Sequence, residues 1–163
     1  MKKHLIENSI AVLEQGLKLL EKIETDEIYA EFGGHIRHCL DFFDCLFAGI
    51  KSGKADYNKR ERDLQVETKR AAAISKIEKT IENLRKIEIE NFDREILIRY
   101  ERVEEIEENA WSRSSVAREL EFMQSHTVHH YAIVALKLAF AGFAVEADFG
   151  VAASTLKYRQ KGI

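Results

Sequence analysis

Between Phe122 and Val145 only one residue, Lys137, carries a formal charge. A helix built from such a stretch is apolar nearly all the way round, and that places it at the centre of a helical assembly. The longest apolar run within it, residues 131–145, is broken by Lys137 and is too short to span a bilayer. The same stretch holds Ser125-His126-Thr127-Val128-His129-His130, three of the chain's six histidines. His126 and His130 are four apart, so on a helix they stand one above the other with about 6 Å between Cβ atoms. Two imidazoles at that spacing can grip one divalent metal ion. At 100° per residue, His130 lies at about +40° from His126, Glu119 at about +20° and His129 at about −60°. His126 and His130 therefore share a line, and His129 falls to the flank. Glu119 shares the line almost two turns away, as a base acting behind the site or a capping residue.

Buried imidazoles need partners, because an unpaired polar group costs about 1–3 kcal/mol. A metal satisfies several ring nitrogens together; separate hydrogen bonds also do so, which is the structural alternative. A third ligand is available from His35 and His38, three apart in another predicted helix. The line of His35 continues through Cys39 and Phe42, which makes it the better inward-facing candidate, with His38 as the alternative. Three neutral imidazoles leave a coordination position open to water or substrate, the pattern of a catalytic rather than a closed structural site. Zinc suits three nitrogens, and so do nickel, iron and manganese.

The remaining sequence fits one soluble domain, residues 1–163. It is 45% hydrophobic and 33% charged, a balance suited to amphipathic helices. A formal net charge of −3 gives no electrostatic case for nucleic acid. The start is mildly basic, but Glu7 and Glu14 interrupt the apolar stretch a signal peptide requires. The expected location is cytoplasmic. Cys39 and Cys45 are six apart in one predicted helix, so their thiols point about 240° apart and cannot bridge.

Periodicity predicts a mainly all-α chain. The first helix carries Ile6, Ile10, Leu13, Leu17, Leu20 and Ile23, and ends at residues 24–26. The second is expected after Gly33-Gly34 and runs to residue 51, stopped by Ser52-Gly53. Residues 54–65 read as a solvated polar loop. A third helix is predicted over residues 67–87. Residues 94–101 are rich in branched and aromatic side chains and are expected to pair with residues 103–108 in a hairpin. The run of glutamates at 104–108 reads as a solvated strand edge. Ser112 or Ser114 is the expected cap of the last long helix, which ends at Gly142, and a short helix closes the chain at residues 152–158. Trp111 is expected to pack at the start of that long helix.

Gly34-His35-Ile36-Arg37-His38, followed by Leu40-Asp41-Phe42-Phe43, resembles the second helix of the DinB/YfiT-like superfamily. Ser125-His126-Thr127-Val128-His129-His130 resembles that family's later histidine motif. Order, separation and the hairpin before the last long helix fit over about residues 5–145. The resemblance implies a four-helix bundle whose divalent metal is held by His35, His126 and His130, with His129 an adjacent non-ligand. It departs from the family where many members carry Arg-Gly-Gln after the last ligand, since Tyr131-Ala132-Ile133 stands here. This points to a side branch, of which the loop at residues 56–63 is a further feature, read either as shaping the mouth of the pocket or, preferred here, as a solvated loop.

Two functions follow from these readings. In the first, the chain is a metal-dependent enzyme of hydrolase or thiol-dependent transferase type; the resemblance supplies a low-molecular-weight thiol as cosubstrate. In the second, it is a non-catalytic bundle with structural histidines, acting through a homodimer or a partner protein. Cys39, one turn below His35, reads either as a site-facing thiol or as a small buried hydrophobe.

Overall fold

A computed structural model describes residues 3–100 and 111–161. Along these residues run α1 (Lys3–Lys22), α2 (Asp26–Ser52), β1 (Lys54–Asp56), α3 (Leu64–Thr68), α4 (Arg70–Arg85), β2 (Glu95–Arg99), β3 (Ser112–Ser115), α5 (Val116–Phe140) and α6 (Ala153–Gln160). The fold is mainly helical, as the periodicity requires. α1 packs on α4 and α5, and α2 also packs on α4 and α5. Leu13, Leu20, Phe32, Ile36, Phe43, Ile77, Leu84, Leu120, Met123 and Val134 meet in one buried core. Shortening any one of the buried leucines to alanine costs about 2–5 kcal/mol.

The second helix starts well before Gly33-Gly34, and this corrects the sequence expectation. Thr25 caps it at residue 26, its hydroxyl accepting from the Ile28 N–H at 3.3 Å, and Asp26 and Glu27 complement the positive end of the helix. Gly33 sits inside the helix for a packing reason. A Cβ there would lie 2.0 Å from the carbonyl oxygen of Glu67 and 2.9 Å from the Tyr29 ring. The bare backbone lets α3 lie directly on α2, where the Tyr29 hydroxyl also donates to the Val66 carbonyl at 2.5 Å. At its other end α2 stops as expected, with Gly53 in the left-handed conformation at φ 82°.

The helix predicted over residues 67–87 is two. Lys69 takes an extended conformation between α3 and α4, and the Arg70 N–H, instead of entering a helical turn, donates to the Asp26 carboxylate at 2.9 Å. A side chain distant in sequence thus replaces the bond a continuous helix would have made.

β2 forms, but its antiparallel partner is β3, with Ile96 opposite Ser114. β1 joins on the other edge in parallel, with Ala55 opposite Ile98. The expected pairing segment at residues 103–108, glutamates included, lies outside the described residues. Trp111 serves the sheet rather than the helix start: Lys54 and Arg99 place their cations over its ring at 5.4 and 5.1 Å. β3 runs directly into α5, and Ser115 is the cap, accepting from the Arg118 N–H at 3.3 Å.

α5 is buried along one face only. Leu120, Met123, Thr127, Tyr131, Val134 and Leu138 recur three or four apart and face the core. Leu136 and Phe140 stand 62% and 92% exposed on the opposite side. The expectation of all-round burial fails because α1, α2 and β3 pack on α5 in a way that leaves Leu136 and Phe140 exposed. No helix among the described residues is long and apolar enough to cross a membrane.

Candidate metal centre

The middle of α2 faces the middle of α5 across the core, and the histidines meet there. His38 comes from α2; His126 and His130 come from α5. Their ring centroids lie 5.0 Å (His38–His126), 4.7 Å (His38–His130) and 4.6 Å (His126–His130) apart. One ring nitrogen from each falls within 4.8 Å of the other two. A tetrahedral zinc with bonds near 2.1 Å holds its nitrogens roughly 3.4 Å apart. The Nδ1 of His126 is buried and has no hydrogen-bond partner, a donor atom available to a cation.

His35, the second-helix residue preferred from sequence, lies one step outside this trio. Its Nδ1 is 3.0 Å from the Nδ1 of His130, so it reaches the group through a ligand candidate. The reason is the direction in which α2 faces α5. His38 and Phe42 are four apart and both touch His126, with centroids at 5.0 and 4.6 Å. Cys39 points elsewhere into the core and hydrogen-bonds Thr127, and burial pushes its thiol up to about 12. It therefore stays protonated and packs as a small hydrophobe. His129 is exposed, and its ring meets that of His130 edge to face at 5.5 Å.

One side of the cluster is an aromatic wall. Phe122 stacks on His126 at 5.4 Å and 20°, and Phe42 stacks on Tyr57 at 5.1 Å and 15°. Tyr100 closes on Phe42, Tyr57 and Phe122 at about 6 Å. Tyr57 comes from the segment read as a solvated loop, yet it is fully buried, and Arg60 lies over the Phe42 ring at 4.7 Å. Its hydroxyl donates to Glu119 at 2.7 Å, and the Ser114 hydroxyl donates to the other carboxylate oxygen at 2.5 Å. Glu119 thus ties the loop and the sheet to α5, behind the wall and away from the trio.

The other side is open. A depression of about 420 Å³ is lined by His35, His38, His130, Arg37, Glu67 and Lys137. The Arg37 guanidinium donates to Glu67 at 2.7 Å and to Asp41 at 2.5 Å, which holds the floor of α2 to α3.

No family model matches the chain, and no solved structure matches it. A curated relative, "FK506-binding protein 5" of Rhizopus delemar (strain RA 99-880), is 29% identical over 160 residues. The match covers 96% of this chain but 38% of the relative, so the chain spans well under half of that protein's length.

Chemistry follows from burial. Desolvation pushes the imidazolium forms of His126 and His130 down to about 4, helped by the neighbouring histidines. His35 is lowered as well, first by burial and then by Lys137 and His129. His126 and His130 are therefore neutral at pH 7, the form that ligates metal. Sequence reasoning overlooked Tyr57, Glu67 and Arg60. Lys137 was visible as the lone charge in an apolar run, and its place at the mouth of the depression explains why a charge is tolerated there.

Proposed function

We propose that this chain is a DinB-like helical bundle that binds a divalent metal ion through His38, His126 and His130. The carrying observation is the convergence of these three half-buried imidazoles from two helices, one of which, His126, has a buried ring nitrogen with no hydrogen-bond partner. The pairwise packing of α1 and α2 on both α4 and α5 supports the bundle. The residues suit zinc or nickel, with iron and manganese also compatible with nitrogen donors. His35 stands in this reading as a neighbour of the centre rather than its third ligand.

Held by His38, His126 and His130, such an ion would supply Lewis acidity toward a water or a thiolate. The protein's own contribution is shape. Phe42, Phe122 and Tyr57 exclude water from one side, while the depression beside His35 and Lys137 admits a small molecule from the other. This supports a hydrolase or thiol-dependent transferase acting on a small substrate, with a low-molecular-weight thiol as the first cosubstrate to assay. The test is metal content of untagged protein reconstituted with zinc. Wild type should hold one ion per chain, and His38→Ala and His126→Ala should each lose it, while His129→Ala keeps it. Full metal content in His38→Ala would sink the assignment.

A second reading, self-association without catalysis, draws support from one observation. Leu136 and Phe140 stand exposed on the outer face of α5, a surface suited to a homodimer. Light scattering on wild type and Leu136→Glu/Phe140→Glu distinguishes it: a dimer that dissociates in the variant supports this reading, and a wild-type monomer removes it.

A further inference from the structure

His35 and His130 face each other Nδ1 to Nδ1 at 3.0 Å. Neutral imidazole has one N–H and one lone pair, so a bond between two Nδ1 atoms fixes both rings. One of them must carry its proton on Nδ1, and the other must carry it on Nε2. If His130 ligates through Nε2, its proton sits on Nδ1, and His35 is the acceptor. His35 then has its own proton on Nε2, on a ring that lines the open depression.

We infer that His35 is a positioning residue: by accepting a hydrogen bond from His130 Nδ1–H it fixes the tautomer and ring orientation with which His130 presents Nε2 to the ion. This rests on the metal-centre reading and gives the second-helix histidines distinct tasks. His38 donates to the ion, and His35 orients a ligand from the facing helix. Imidazole ligands commonly donate their second N–H to such a partner, and losing it weakens metal binding by about 10–100-fold. The partner is usually a carboxylate or a backbone carbonyl; here it is an imidazole. The surroundings explain the choice. Glu67, the carboxylate that lines the same depression, is engaged by Arg37, and a neutral acceptor leaves the charge of the centre unchanged.

The test compares zinc affinity, by competition with a chromogenic chelator, for wild type, His35→Leu and His35→Asn. Asparagine places Oδ1 about where His35 carries Nδ1 and so keeps an acceptor; leucine fills space without one. Zinc X-ray absorption counts the imidazoles in each complex. The expected result is affinity lowered about 10–100-fold in His35→Leu, restored to near wild type in His35→Asn, with three imidazoles throughout. Unchanged affinity in His35→Leu overturns the inference, as does an asparagine variant as weak as the leucine one. Loss of one imidazole in His35→Leu also overturns it, by making His35 a ligand, and leaves the metal centre standing. A wild type that binds no zinc removes both.

Discussion

At the scale of single residues, burial sets the protonation of the site. In the metal-free protein, His126 and His130 take up protons only near pH 4, against 6.5 for an unperturbed histidine. Between those values the unfolded chain binds protons that the folded one refuses, so stability falls as pH drops from about 6.5 to about 4. Above 6.5 these groups contribute no slope. Urea melts of chelator-treated protein across this window should show that slope, and it should be shallower in His126→Leu. An equal slope in both would mean that His126 is not held neutral by burial. The Tyr57–Glu119 bond belongs to the same scale. Tyr57→Phe leaves a buried carboxylate oxygen without its donor and should cost about 1–3 kcal/mol in urea melts, with zinc affinity little changed. Of these residues, His126 and His130 were legible in advance, because a four-residue spacing fixes a shared face whatever the fold. That His38 rather than His35 would meet both of them was not. α2 is apolar on most sides, so every direction looks inward until the position of α5 is known.

At the scale of elements, the boundaries that misled were set by contacts distant in sequence. Gly33-Gly34 looked like a helix start because glycine disfavours helix interiors. What it answers is the backbone of Glu67, which no local pattern reveals. Gly33→Ala must push α3 away from α2, and we expect a loss of about 1–3 kcal/mol by thermal or urea denaturation. An alanine variant as stable as wild type would show that α3 does not rest on α2 at this point. The division between α3 and α4 has the same kind of origin, since Asp26 captures the Arg70 N–H. α1, the C-terminal stop of α2 and the C-terminal end of α5 were all readable, because their signals are local: apolar periodicity, Gly53 and Gly142; the start of α5 was not, since Ser112 and Ser114, the expected caps, lie in β3 and Ser115 caps the helix. The loop carrying Tyr57 and Arg60 was read from its charges alone, and the one aromatic in it turned out to fix its path.

At the scale of the whole molecule, the metal reading makes the two halves of the chain depend on one ion, because α2 and α5 each supply ligands. A ligand that binds only the folded state adds stability that grows with its concentration, about 2.7 kcal/mol at one hundred times its Kd. Thermal melts of untagged protein should therefore rise with added zinc and fall back with chelator, and His38→Ala should not respond. The mainly helical fold and the meeting of histidines from two helices were accessible from sequence, whereas the open face of α5 and the aromatic wall required the packing. The central claim meets its most direct test in anomalous diffraction from crystals of the zinc-loaded protein. The account predicts a single strong peak bonded at about 2.0–2.1 Å to one nitrogen each of His38, His126 and His130. A peak elsewhere, a peak without His38, or none between these rings would contradict it.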